Sequence, residues 1–270
     1  MDFINNLLAE SPFTSMDDLS RVFLAMLFVA VAAAISRWQR ADLEKDLGWS
    51  TVRSFVQLIA IGYVLELIFR QDNPVWTLLL LAVMVVIAGV TSGQRGNKTP
   101  HAYAIALASI SIGTAVTIAG LVALDVFAFT PQAIIPIGGM IVGNAMTTVS
   151  LVMSRLSDDL IEQRNQVETM LALGARGREA SLPQFRRALR SAMVPIIDTT
   201  KTVGLIKLPG AMTGMILAGA SPIEAVQLQL IVMYMLVGAN TFTGLSAAYL
   251  TYRQFFTAAH QLRLPTQQPQ

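Results

Sequence analysis

The chain has no cysteine among its 270 residues and only two histidines, His101 and His260. The first absence excludes disulfides, iron–sulfur clusters and thiolate metal sites. The second leaves too few imidazoles for a zinc site of the usual kind. Charge is scarce too. Asp, Glu, Lys and Arg make up 13% of the chain, where a soluble domain carries about 25%. A net charge of +2 is too small to point to a nucleic-acid partner. A phosphate-binding loop is also missing. The nearest approach to G-x-x-x-x-G-K-[ST] is GQRGNKT (93–99), where Asn97 separates glycine from lysine and no strand precedes. With no H-E-x-x-H, no G-x-S-x-G and no paired aspartates in the apolar runs, enzymatic chemistry has no foothold.

Apolar sequence is abundant. Hydrophobic residues reach 54% and the mean hydropathy is +0.57. A spanning helix needs about 20 mostly apolar residues. Seven segments qualify, at roughly 20–36, 52–69, 75–91, 102–124, 131–153, 191–219 and 223–251. The expected fold is therefore all-α, a polytopic membrane protein of about seven helices. It reads as one transmembrane domain over 1–270. The N-terminal residues include Asp2, Glu10, Asp17 and Asp18 rather than a basic region, so the first apolar run reads as an anchor and not a signal peptide.

Loop charge orients the chain. The gaps after segments one, three, five and seven collect Arg37, Arg40, Lys45, Arg53, Arg95 and Lys98, then the arginines of 155–190, Arg253 and Arg263. The opposite side has Arg21 and Arg70. Basic residues near spans stay in the cytoplasm, which puts the N-terminus outside and the C-terminus inside. Trp38 and Trp49 fall at the inner boundary and Trp76 at the outer one, where amphipathic rings belong.

One soluble piece stands out, 154–190. Leu156, Leu160, Val167 and Leu171 make a helical stripe that continues the fifth span. Gly174 and Gly177 then break it. A second helix follows Ser181, with Leu182, Phe185 and Leu189 on one face and Arg186, Arg187 and Arg190 on the other. That helix fits an acidic lipid surface or a docking element for a soluble partner.

The remaining signals are polar groups inside apolar runs, which are costly and point to function or pairing. Asp198 and Lys201 stand three apart on one helix face. They read either as a neutralising ion pair or as a polar step on a substrate path, with Asp198 open to a cation. Glu66 and Arg70, four apart, read as an interfacial pair. Gln57, Asn144, Gln229, Asn240 and Thr241 can join helices or line a path. PIGGMIVG (136–143) and PGAMTG (209–214) each place glycines four apart after a proline. Such spacing lets helices approach closely, and Pro209 breaks a helix where transporters bind substrate. Met140, Met146, Met212, Met215, Met233 and Met235 crowd the last three segments. Thioethers suit soft metals and also fill cores.

LEKDLGWSTVRSFVQLIAIGYVLELIF (43–69), IIPIGGMIVGNAM (134–146), LALGA (171–175), KTVGLIKLPGAMTGMILAGASPIEAV (201–226) and TYRQFF…HQL (251–262) resemble the FetB-type permeases of bacterial ABC exporters linked to iron efflux. Plant relatives of that group are tied to aluminium tolerance. The resemblance implies a multi-pass inner-membrane subunit that pairs as a homodimer. It also implies no cofactor on this chain, with ATP reaching the complex through a separate cytoplasmic ABC ATPase. Glu168 and Gly174 in VETMLALGA are similar to the E-A-A-x-x-x-G element that meets such ATPases, with Thr169 and Met170 in place of the two alanines. Leu182, Phe185 and Arg186 complete the expected ATPase interface. The expected substrate path comprises Asp198, Lys201, Asn144, Met140, Met212 and Met215, with Asp198 as metal contact. Lys207 stands where the resemblance implies a small polar residue, so its cation has to snorkel out of a metal path. Two rivals stay open: a membrane scaffold or sensor that recruits a cytoplasmic partner, and an ion-driven carrier. A non-metal substrate for the same permease is a further alternative.

Overall fold

The computed structural model describes residues 16–39, 42–71, 73–257 and 259–263. Asp2, Glu10 and Arg40 lie outside them. The described chain is almost entirely helical and packs as two compact units.

The first unit is a hairpin of α1 (Met16–Trp38) and α2 (Glu44–Gln71), with which Ile216–Ala220 clusters. Its turn is fixed locally. The Ser36 hydroxyl accepts from the Leu43 amide at 3.1 Å and donates to Glu44 at 3.4 Å, while Asp42 takes φ 54°. Along α2 only Ile68 is buried. A helix apolar on nearly all sides and hardly buried by its own chain is suited to lipid. At its far end Glu66 and Arg70 form the expected pair at 2.6 Å.

The second unit holds α3 (Pro74–Arg95), α4 (Ala102–Ala123), α5 (Pro131–Glu162), α6 (Arg164–Ala172), α7 (Gly177–Ala180), α8 (Leu182–Thr202) and α10 (Pro222–Gln254). The short helix α9 (Gly210–Leu217) straddles the division between units. Starts and stops follow local chemistry. Asn73 accepts from the Val75 amide ahead of Pro74, a side-chain cap followed by proline at the first helical position. Ser221 and Glu224 form a reciprocal capping box at the start of α10, both bonds 3.2 Å. Helices α3, α4, α5 and α10 pack on one another around Ile110, Val149, Val152 and Ala247 at one level. Leu81, Ile134, Ile141 and Leu236 fill another level.

Close approach is real, but not where the glycine pairs placed it. Gly139, Gly143, Gly210 and Gly214 have open space where a Cβ would stand. Tight contacts between helices include Gly93, whose Cβ would lie 2.9 Å from the Tyr103 Cα, Gly113, 3.2 Å from the Thr243 Cα, and Gly138 against Leu81. Gly138 and Gly139 are about 100° apart on a helix of 3.6 residues per turn, so only one of them can point at α3.

Among the described residues five helices are long and apolar enough to cross a bilayer: α2, α3, α4, α5 and α10. Of the expected first segment, Leu24–Trp38 forms a shorter apolar helix. The sixth segment is broken, as its proline and glycines led one to expect, and neither piece is among the helices able to span. Its first third belongs to α8, which begins in the loop at Leu182 and ends at Thr202. Its last third is α9, eight residues long or about 12 Å, far short of the ~30 Å hydrocarbon core. Between them the backbone satisfies itself. The amides of Leu205, Ile206 and Lys207 reach the Thr202 carbonyl at 3.0–3.3 Å, and Gly204, at φ 83°, donates to Lys207 O at 3.0 Å. The break thus keeps the amides of 204–207 hydrogen-bonded within the chain.

Candidate functional site

Two features on α5 and α8 gather most of the residues singled out from sequence. The first is an elbow. Helix α5 has 32 residues, about 48 Å, and runs on through Gln163 into α6 with Leu156, Leu160 and Val167 fully buried as one stripe. Helix α6 then stops at Gly174. The Gly174 amide bonds Leu171 O and the Ala175 amide bonds Met170 O, both at 3.0 Å, with Gly174 at φ 88°. This is the Schellman pattern, and its left-handed residue is one that a side chain strains. Glycine six residues after Glu168 is thus a helix stop. Glu168 itself pairs with Arg164 at 2.7 Å. It borders a cleft of about 370 Å³ with Leu171, Ala175, His260 and Gln261.

The elbow is held from two sides. The C-terminal turn folds back on it, with Phe256 against Gly177 and His260 Nδ1 accepting from the Gly177 amide at 3.5 Å. From the other side Gln184, fully buried at the start of α8, donates to Gln163 at 2.9 Å. Asp159 faces Arg187 at 3.8 Å, and Asp158 takes Lys98 from the α3–α4 loop at 2.7 Å. Sequence reading missed Gln184 because an amide on an amphipathic helix reads as outward. Its i, i+4 relation to the buried Ala188, Ala192 and Ile196 is the signal that places it inward.

The second feature is the outer face of α8. The buried row Gln184, Ala188, Ala192 and Ile196 packs on α5 and α10, which leaves Arg186, Arg187, Arg190, Val194, Asp198 and Lys201 exposed. Asp198 and Lys201 do not form an ion pair; among the described residues the salt bridges lie elsewhere. On the neighbouring α5, Met140 packs in the same cluster as Ile196. Asn144 donates to Met140 O at 2.9 Å and is half-buried. Met140 and Asn144 thus stand on α5, which packs on α8, while Asp198 stands on the exposed face of α8. Met212 and Met215 sit on α9, which has no extended packing with α5 or α8. Among the described residues no cluster of three His, Asp or Glu side chains could hold a metal.

Leu182 and Phe185 turn inward. With Arg178, Ser181, Tyr249 and Tyr252 they line an apolar slot of about 50 Å³. The exposed apolar residues of the elbow are instead Met170 and Leu173, the latter 78% exposed. Sequence reading passed over both because they interrupt a motif rather than complete it.

The uncharacterised protein family UPF0014 matches residues 19–256. The chain is similar to UPF0014 membrane protein STAR2 of Oryza sativa subsp. japonica, 52% identical over 88% of this chain and 84% of the relative. It is 50% identical to the protein ALUMINUM SENSITIVE 3 of Arabidopsis thaliana, over 88% of each. The probable iron export permease protein FetB of Escherichia coli (strain K12) is 38% identical over 88% of this chain and 92% of its own. Identity to the two plant proteins thus exceeds identity to the bacterial permease that the motifs resemble. No solved structure matches. The chain is a multi-pass membrane protein that belongs to the UPF0014 family.

Proposed function

We propose that the chain is the membrane-spanning permease subunit of an ATP-driven ABC exporter, with a metal cation such as iron as substrate. A separate cytoplasmic ATPase supplies the hydrolysis, two permeases pair in the inner membrane, and the C-terminus lies in the cytoplasm. The observation that carries this reading is the buried stripe that continues from α5 past the turn at Gln163 into the elbow, tied back to α8 by the Gln163–Gln184 bond. Force applied at Glu168 and Gly174 passes along packed helices to the face that bears Asp198. The 38% identity to a protein named as an iron export permease supports the substrate class. In this reading the elbow, with Glu168, Gly174, the exposed Met170 and Leu173 and the neighbouring Arg186, meets the ATPase. Asp198, with Asn144 and Met140, meets the cation, and Lys201 flanks it. Met212 and Met215 join that path only if α9 moves toward α8 during transport.

A second reading, a non-metal anionic substrate for the same permease, rests on one observation. The exposed face of α8 carries Arg186, Arg187, Arg190 and Lys201 against the single carboxylate of Asp198.

The test is metal content in cells that lack the chain, complemented with wild type or Asp198→Ala, with and without the ATPase. Iron should rise in the deletion and return to normal only with wild-type permease and ATPase together. The D198A chain should still co-purify with the ATPase. Unchanged metal content across all strains rejects the cation reading. Normal export by D198A rejects the site.

A further inference from the structure

The slot beside the elbow is unlike an ordinary packing gap. Its walls are almost wholly apolar, from Leu182, Phe185, Tyr249 and Tyr252, yet Arg178 stands in its lining. Arg253 lies over the Tyr249 ring at 5.7 Å, so a second guanidinium stands against a ring that lines the slot. Among the described residues neither arginine is ion-paired. Ser181 and Leu182 open α8, a helix of 21 residues, so the positive end of its dipole adds to the same field. Tyr249, Tyr252 and Phe256 form a ladder of tilted rings with centroids 5.7–5.8 Å apart. That ladder sits at the end of α10, one of the membrane-crossing helices. Aromatic rings with adjoining arginines at the end of a span mark the level of the lipid headgroups.

A single occupant satisfies both halves of this arrangement. A soluble anion would meet the arginines and gain nothing from the slot. An apolar side chain would fill the slot and leave two cations unmatched. An anionic phospholipid does both, with its phosphate on the guanidinium pair and the upper part of an acyl chain against Phe185, Leu182 and Tyr249. Basic pockets between helices on the cytoplasmic side take lipid headgroups on this principle, and guanidinium forks suit phosphate oxygens better than an ammonium does. We propose that Arg178, Arg253 and the Leu182–Phe185–Tyr249–Tyr252 slot form a binding site for one anionic phospholipid. The site is independent of what the permease transports. Because it spans the start of α8 and the end of α10, a lipid bound there braces the elbow against the membrane.

The experiment is native mass spectrometry of the full-length chain, released from detergent after incubation with phosphatidylglycerol or phosphatidylcholine. Wild type should retain one phosphatidylglycerol per chain in preference to phosphatidylcholine. The R178Q/R253Q double variant should weaken that retention about tenfold or more, the scale of losing two charge-assisted contacts. Phe185→Trp should weaken it too with both arginines intact, by filling the slot. R95Q, which removes an exposed cation outside the slot, should retain lipid as wild type does. Equal retention by wild type and R178Q/R253Q overturns the proposal. Displacement of the lipid by millimolar inorganic phosphate also overturns it, in favour of a soluble-phosphate site. Loss of ATPase co-purification in R178Q/R253Q with lipid retention unchanged would assign the slot to protein docking instead.

Discussion

Gly113 in α4 and Gly219 after α9 are the same residue used for opposite reasons. Gly113 has ordinary helical geometry, and what matters is the Cβ it lacks, because Thr243 of α10 occupies that space down to its Cα at 3.2 Å. Gly219 has open space all round, and what matters is its φ of 90°. The contrast holds for the two regions as wholes. In the α3–α4–α5–α10 bundle glycine sets how near helices come. In 203–220 it sets where the chain turns, at Gly204 and Gly219, while Leu205 and Ile206 stand 89% and 84% exposed. Density fixes the first region. Local hydrogen bonds and little else in this chain fix the second.

The largest expected effect tests the packing half of the contrast. Gly113→Ala improves helix propensity by about 1 kcal/mol but drives a methyl into Thr243. Overpacking costs about 1–3 kcal/mol, and here a backbone atom stands in the way. The melting temperature of the detergent-purified chain should fall. Gly139→Ala, with no neighbour within reach, should leave it level or raise it. If both variants melt alike, glycine contact does not set the bundle.

Next come the left-handed glycines. An alanine at positive φ costs about 1–2 kcal/mol. Gly174→Ala should lower the global melting temperature, because the elbow it closes covers the buried Leu160 and Val167. Gly219→Ala carries a similar local strain in a segment with little packing to lose. Its effect should appear as faster amide exchange over 216–221 with the global transition unmoved. A global loss in G219A as large as in G174A would mean the two regions are coupled. Ser221→Ala then removes one half of the capping box of α10, for about 1 kcal/mol, read in the same melts.

The bundle was legible from sequence because lipid demands long apolar runs. Segments 52–69, 75–91, 131–153 and 223–251 each fall within a helix able to span, and 102–124 overruns its helix by one residue. The stripe Leu156, Leu160, Val167, Leu171 was legible because one heptad-like period survives the kink at Gln163. The break in the sixth segment was legible from Pro209 and its glycines; its reading as a span misled because average hydropathy is blind to phase. Ala192 and Ile196 are buried, Val194 and Ile197 are not, and this alternation belongs to an amphipathic helix that starts in the loop. The glycine pairs misled for a related reason. Spacing identifies a face of α5 but not which neighbour lies against it, and one residue of rotation moves the contact to Gly138. For the candidate site, the sequence pointed to Asp198 through its charge. It held no sign that Leu182 and Phe185 face Tyr249 and Tyr252, since that meeting joins residues more than sixty positions apart.

The smallest effect sharpens the comparison at the edge of the packed region. Lys98 joins the α3–α4 loop to Asp158 of α5 at 2.7 Å, beside the Thr99–Ser157 bond of 2.7 Å. The hydrogen bond that Lys98 donates to Asp158, then the charge of Asp158, hold the Lys98 ammonium above its ordinary 10.5, with Glu162 adding a little and desolvation opposing. The pair is solvent-exposed on the lysine side, so screening limits its worth. Lys98→Met should lower the melting temperature by roughly 2 °C or less at neutral pH. A raised folded-state value means that the contribution is fully present below pH 10.5 and is lost as pH rises through the higher folded value. Wild type and K98M should therefore differ at pH 8 and converge well above pH 10.5, and 1 M salt should narrow the gap at pH 8. A gap that ignores both salt and alkaline pH would show that the lysine stem, and not its charge, holds the loop to α5.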